Sequence, residues 1–249
     1  MIIIIPCAGY GTRLSPVSGN THKSLIEVAS KPLLSRIVDN LRVLNPEKII
    51  IITNNMFYNQ FTTWIKTYDT KYINHISLIN DGSKNNNERL GTLKDVLLGI
   101  KNSKSKFLVY LGDNLIQGDL RKPLEQFMQT NKNTIVLHDI TNIDEAKKFG
   151  VVKLDNNNRI IGLEEKPKNP NSTLISTGIY FFNPEIKRTI KEYIAKGNNP
   201  EGFGFLLEHT CKDNEYYGYV LDKSFKWIDI GTPESLMQAN NILNKYKVK

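Results

Sequence analysis

The segment Ile2–Leu14, IIIIPCAGYGTRL, constrains the fold more than any other stretch of this chain. Four consecutive isoleucines without a polar break read as a strand buried on both faces. That is the pattern of a parallel sheet covered by helices on each side. The turn after such a strand lies at the carboxyl edge of the sheet, where open α/β folds bind ligands. Gly9 and Gly11 let the backbone approach an anion closely, and the peptide N–H groups of Ala8 to Thr12 can cradle phosphates. Arg13 adds a fixed cation whose fork matches phosphate oxygens. An ordinary tight turn would show the same glycines, so the segment alone leaves both readings open.

The pattern downstream repeats the alternation. Apolar residues at Leu33, Leu34, Ile37, Val38, Leu41 and Leu44 predict a helix from Pro32 to about Leu44, which Pro46 ends. Strands are expected at Lys48–Thr53, His75–Asn80 and Lys106–Leu111, and helices at Phe57–Tyr68 and Leu93–Ile100. Asp81–Arg89, DGSKNNNER, reads as a polar loop. Strands alternating with helices predict a doubly wound sheet. The second half changes character. Strands near Thr134–His138, Val151–Asp155, Ile160–Glu164 and Gly178–Phe182 lie closer together, with a hairpin turn at Asp155–Asn158. Helices at Pro184–Ala195 and Phe203–Cys211, strands at Tyr216–Leu221 and Lys226–Asp229, and a last helix from Pro233 to about Tyr246 complete the reading. No linker or repeat divides the 249 residues, so one α/β domain with a more antiparallel second half is expected.

Composition narrows the function. The net charge of +8 comes from dispersed lysines with no basic block, which suits anionic small molecules better than nucleic acid. No apolar run approaches the ~20 residues that span a bilayer, and the early isoleucines lack the flanks of a cleaved leader. Two cysteines, Cys7 and Cys211, predict neither a disulfide framework nor a zinc cluster, so a cytoplasmic setting is expected. His22, His75, His138 and His209 show no ligand spacing and read as structural.

AGYGTRL, Lys23 in THKSLIEV, KPLL, LGDN (Leu111–Asn114), FGVV (Phe149–Val152), EEKP (Glu164–Pro167), STGIYFF (Ser176–Phe182) and WIDIGTPES (Trp227–Ser235) occur in one order along nearly the whole chain. This series resembles the sugar-nucleotide pyrophosphorylases, nucleotidyltransferases that join a sugar 1-phosphate to a nucleoside triphosphate. Glucose-1-phosphate thymidylyl- and uridylyltransferases are the most similar branch. The resemblance implies a Rossmann-like mixed sheet with a nucleotide-binding half over about 1–115 and a sugar-binding half over about 116–249. It is compatible with a homo-oligomer. The added β-helix of hexapeptide repeats that many relatives carry has no counterpart here, so a second acetyltransferase activity is not expected.

The implied chemistry is in-line attack of a sugar-phosphate oxygen on the nucleotide α-phosphorus, expelling pyrophosphate. The nucleophile is already anionic, so positioning and charge neutralisation suffice without a base. By resemblance, Asp113 and Asp229 jointly hold Mg²⁺, Arg13 and Lys23 meet the triphosphate, and Lys166 meets the sugar phosphate. Asn114, Gly150, Glu165, Thr177 and Gly178 would form the sugar pocket, and Gly91 and Asn80 would face the base. Each Asp could instead cap a turn. Two departures stand out: His22 occupies a position where the family commonly has Pro, and the Asp81–Arg89 loop is longer than usual. Uracil or thymine is the expected base, with cytosine second. The alternatives are a cytidylyltransferase for a small acceptor such as phosphocholine, and a catalytically silent regulatory subunit. An aromatic cage would favour the former, and loss of Arg13, Lys23, Asp113, Lys166 or Asp229 the latter.

Overall fold

The isoleucine run forms the centre of the sheet. In the computed structural model, which describes residues 1–68, 72–101 and 103–247, the strand Ile2–Cys7 lies between Lys48–Thr53 and Phe107–Tyr110, parallel to both. Ile3 and Ile5 pack into one core layer, and Ile2 and Ile4 into the other, because successive strand residues face opposite sides. Ile3, Ile4 and Ile5 are fully buried, each worth roughly 1.5–3 kcal/mol of apolar burial. Helices Leu33–Arg42 and Tyr58–Thr67 feed the first layer; Thr92–Gly99, Ile186–Ala195 and Phe203–Thr210 feed the second.

Ile76–Asn80 adds a fourth parallel strand beside Lys48–Thr53. The parallel order therefore runs outward in one direction through Lys48–Thr53 and in the other through Phe107–Tyr110. The direction of winding reverses between the first strand and Phe107–Tyr110, which opens a crevice at their carboxyl ends. The turn after Cys7 and the Gly112-Asp113 turn both sit there.

The second half extends the same nine-stranded sheet mainly by antiparallel pairing. The long strand Leu174–Phe182 pairs with Phe107–Tyr110, with Thr134–Asp139 and, at Ile175, with Gly150–Leu154. Its register against Thr134–Asp139 shifts between Ser176 and Tyr180, an irregularity centred on Gly178 at φ +78°. The hairpin at Asp155 forms as expected: Gly150–Leu154 returns as Ile160–Glu165, with the Asp155 carboxylate accepting from the amides of Asn157 and Arg159.

Tyr217–Val220 runs parallel to Thr134–Asp139 within this mainly antiparallel half, as a mixed sheet allows. One finding departs from the sequence reading. Between Asp113 and Thr134, where the pattern predicts no element, lie the strand Asn114–Gln117 and the helix Arg121–Thr130. Asn114–Gln117 pairs antiparallel with Lys226–Asp229 in a separate two-stranded sheet. No helix among the described residues is long and apolar enough to cross a membrane.

Candidate active site

The small two-stranded sheet builds the acidic centre. Its register places Asp229 opposite Asn114, beside Asp113, although the two carboxylates are far apart in sequence. The Asp113 carbonyl accepts from the Ile230 amide at 2.8 Å, which ties the two turns together. Asp113 Oδ1 accepts from Asn114 Nδ2 at 2.9 Å and Oδ2 from Lys23 Nζ at 2.5 Å. Arg13 lies close by: a Cβ added at Gly231 would sit 3.4 Å from its guanidinium and 3.3 Å from Asp229 Oδ2.

The charges are interdependent. Burial alone would raise the Asp113 carboxyl, but Lys23 and Arg13 outweigh it and hold it below the ordinary aspartate value. Burial likewise disfavours the Lys23 ammonium, and the charge of Asp113 outweighs that and raises its pKa. Asp229 is pushed up to about 7 by burial and then by the neighbouring charge of Asp113. Two adjacent carboxylates, one of them short of positive charge, make a place where a further cation is electrostatically welcome. Among the described residues no cluster of three or more His, Cys, Asp or Glu surrounds a common centre, so any such cation would need ligands from elsewhere.

The chain leading into Arg13 is tightly laid. Gly11 adopts φ +61°, a left-handed conformation that disfavours a side chain, and a Cβ there would touch the Lys23 stem at 3.5 Å. The Ala8 carbonyl accepts from Asn54 Nδ2, and the Gly9 carbonyl bonds His22 Nε2 at 3.0 Å. Lys23 itself opens a short 3₁₀ turn, Lys23–Leu25, capped by His22.

The other end of the cleft is built on strand ends of the second half. Glu165 closes the strand Ile160–Glu165, in register with Gly150. Gly150 and Gly204 make room for its carboxylate: a Cβ added there would approach Glu165 Oε2 to 2.9 and 1.7 Å respectively. Burial raises the Glu165 carboxyl above its ordinary value, with Lys166 opposing. Lys166 adopts φ +51°, an unusual conformation for a side-chain-bearing residue, and turns its side chain outward with 62% exposed. Its ammonium lies 3.5 Å from Glu165 Oε1.

One cleft of about 840 Å³ joins the two ends, lined by Arg13, Lys23, Asp113, Asn114, Asp229, Gly150, Glu165, Lys166, Thr177 and Gly178 among others. Asn114 and Thr177 face it in a supporting way. Trp227 Nε1 donates to Asn114 Oδ1 at 2.9 Å and to the Thr177 carbonyl at 3.2 Å, while Thr177 Oγ1 donates to the Val136 carbonyl. Four strands, those carrying Asn114, Val136, Thr177 and Trp227, are thereby tied together beside Asp113. Trp227 packs edge-on against Phe149, ring centres 5.2 Å apart.

Neither residue expected to face the base, Asn80 or Gly91, lines the cleft. Asn80 is exposed and outside the cleft lining; its side chain donates to Asn55 Oδ1 and accepts from the Gly82 amide. Gly91, at φ +89°, lies beneath the second half instead of open space, since a Cβ there would meet the Pro200 carbonyl at 2.7 Å. The Asp81–Arg89 loop and the helix that follows it both dock on that segment, through the Arg89–Glu201 ion pair and the Leu93 amide to the Pro200 carbonyl. Arg89 and Thr92 line the cleft at this point. Sequence reading missed Trp227, Gly204 and Arg89. The Glu201–Phe205 run, EGFGF, with two glycines between aromatics at a helix start, was the available signal for Gly204.

Comparison with known proteins bears on the family and the fold. The family model described as Nucleotidyl transferase matches residues 2–246. The bifunctional protein GlmU of Methanocaldococcus jannaschii is 30% identical over 98% of this chain and 54% of its own length. A glucose-1-phosphate thymidylyltransferase of Streptomyces antibioticus is 23% identical over 96% of this chain and 65% of its own. The chain thus spans about half to two thirds of the curated relatives it matches. A solved structure of a putative glucose-1-phosphate thymidylyltransferase from Bacillus anthracis, in complex with sucrose, superimposes with TM-score 0.84. It is 25% identical and covers 97% of this chain and 95% of that one. The match along nearly all of the sequence, on a sheet whose crevice gathers these charged residues, shows that the chain belongs to the nucleotidyl transferase family.

Proposed function

We propose that this protein transfers a nucleoside monophosphate from a nucleoside triphosphate, UTP or dTTP, to a sugar 1-phosphate, releasing pyrophosphate. The carrying observation is the division of one cleft into a cation-and-carboxylate centre at the sheet crevice and a Glu165–Lys166 end on the second half. Residues about 1–115 serve the nucleotide and about 116–249 the acceptor. In the first, Arg13 and Lys23 neutralise the triphosphate, Arg13 meeting the charge that grows on the departing pyrophosphate. Glu165 accepts hydrogen bonds from sugar hydroxyls, and Lys166 draws the acceptor phosphate against the repulsion between two anions. Gly150, Thr177 and Gly178 shape the pocket, while Asn114 holds Asp113 and Trp227 in place.

Asp113 and Asp229 fit a divalent cation of the Mg²⁺ kind, which takes one or two carboxylates and completes its shell with substrate phosphates and water. When bound, that ion supplies charge neutralisation between the two phosphate groups. The substrate phosphate oxygen is already ionised, so no side chain need take its proton.

The largely buried Glu165 carboxylate at the acceptor end suits sugar hydroxyls, which favours a sugar phosphate over phosphocholine. All of Arg13, Lys23, Asp113, Lys166 and Asp229 line the one cleft, which disfavours a silent subunit. A panel of the common nucleoside triphosphates against glucose 1-phosphate, other hexose 1-phosphates and phosphocholine, read by pyrophosphate release, tests the reading. Release that requires a hexose 1-phosphate supports it; release with phosphocholine alone, or with no acceptor, overturns it.

A further inference from the structure

His22 is the least expected residue beside the cleft, and its surroundings are unusually specific. Only 1% exposed, it holds φ −61° and ψ 137°, an extended backbone within reach of proline. Its imidazole packs between Phe57 and Phe61, with ring centres 4.9 Å from each. The Ser24 amide donates to His22 Nδ1 at 3.1 Å, so that nitrogen carries no proton. The proton is therefore on Nε2, which donates to the Gly9 carbonyl at 3.0 Å. One rigid ring thus joins the turn that precedes Arg13 to the turn that begins with Lys23. Its own backbone amide is also fixed, donating to Gln60 Oε1 at 2.9 Å.

We infer that His22 is a positioning residue for nucleotidyl transfer: a neutral two-sided clamp that fixes the Gly9–Arg13 turn and the Lys23 ammonium in one mutual geometry. The two cations of the triphosphate site come from separate segments, and their spacing has to match the spacing of phosphate oxygens. Hydrophobic packing holds the ring, and its two nitrogens hold the two backbones. Displacing either segment by an ångström separates cations that must act on one triphosphate, the kind of shift that costs turnover out of proportion to stability. Burial first, and the charge of Lys23 second, push the His22 pKa down to about 3, so the ring stays neutral through the working range. This rests on the reading of the turn as the triphosphate site, but the hydrogen bonds themselves do not.

Two single-sided variants separate clamp from filler. His22→Asn keeps a cap acceptor for the Ser24 amide but cannot reach Gly9. His22→Gln carries a donor at about the distance of Nε2 and can keep the Gly9 bond. Both leave a gap between Phe57 and Phe61, so both lower Tm, and this common loss serves as the internal control. The clamp predicts that His22→Asn loses at least tenfold in kcat/KM for UTP, with the KM for the sugar phosphate unchanged. His22→Gln should recover most of that loss at a similar Tm, because residue 22 is already joined to Lys23 through the chain and the Gly9 bond is the one that ties the two segments together. Equal activities in the two variants, or losses that simply follow Tm, would overturn it. Independently of any activity, ¹⁵N NMR of the wild type between pH 5.5 and 8 should show a neutral, Nε2-protonated His22. An imidazolium, or the Nδ1-protonated form, would remove the clamp even if the enzyme transferred nucleotides; absent transfer with the Nε2 form present would instead overturn only the proposed function.

Discussion

The two ends of the cleft hold their charges differently. At the sheet crevice the cations and anions are already matched: Lys23 sits on Asp113, Arg13 lies beside Asp229, and His22 fixes the segments that carry them. At the second-half end, Glu165 is enclosed by two glycines with only a 3.5 Å contact to Lys166, and Lys166 reaches into solvent. The first end is preorganised by the bonds its own residues make to one another. The second end is more open, with the Lys166 side chain largely in solvent. Substitutions at the crevice should therefore disturb both turnover and the resting arrangement, whereas those at Glu165 should act on the acceptor alone.

The largest effect is expected at Asp113. Asp113→Ala removes the partner of Lys23 and one of two carboxylates fit for a divalent ion, so kcat should fall about 10³-fold or more, roughly 4 kcal/mol. Steady-state rates across a Mg²⁺ titration check this; a variant that regains wild-type kcat at high Mg²⁺ would contradict a role beyond weak metal affinity. Next, if Glu165 accepts from sugar hydroxyls as proposed, Glu165→Ala should lose about 2–4 kcal/mol in kcat/KM for the sugar phosphate. A loss confined to kcat at unchanged kcat/KM would break the comparison.

Arg13→Lys replaces a bidentate fork by a point charge. We expect kcat to drop about 10- to 100-fold with a smaller change in UTP KM, because charge on the leaving pyrophosphate grows in the transition state. A pure KM effect would make Arg13 a uniform binding residue.

The smallest effect concerns stability. Asp95, in the helix Thr92–Gly99, is buried with Oδ1 lacking a hydrogen-bond partner. Burial, then the charges of Asp81 and Glu201, push its carboxyl up to about 7. Its folded pKa exceeds the unfolded value, so the native state is favoured most below pH 4 and loses that contribution as pH rises through 7. Asp95→Asn should stabilise the protein by roughly 1–3 kcal/mol at pH 8 and change little at pH 4. Denaturant midpoints at the two pH values decide it, and equal shifts at both would refute the pKa as cause.

What the sequence made legible follows from how local each signal is. A run such as Ile2–Ile5 declares two-faced burial by itself, and strand Lys48–Thr53 repeats it residue for residue. Arg13 and Lys23 announce themselves because each lies in a short stretch with its own motif. The meeting of Asp113 with Asp229 depends on the pairing of two four-residue strands, one of which carries no pattern of its own. The docking of the Asp81–Arg89 loop was not legible, because a polar loop gives no hint that Arg89 pairs with Glu201 far along the chain. The clamp at His22 was hidden for a similar reason: a ring shows its two partners only when the chain has brought them together.

Calorimetric titration of UTP with Mg²⁺ into Glu165→Ala, beside the wild type, tests the division of the cleft most directly. A preorganised triphosphate end independent of the acceptor end predicts a UTP Kd within about threefold of wild type. A marked loss of UTP affinity, with the KM for the sugar phosphate spared, would contradict it.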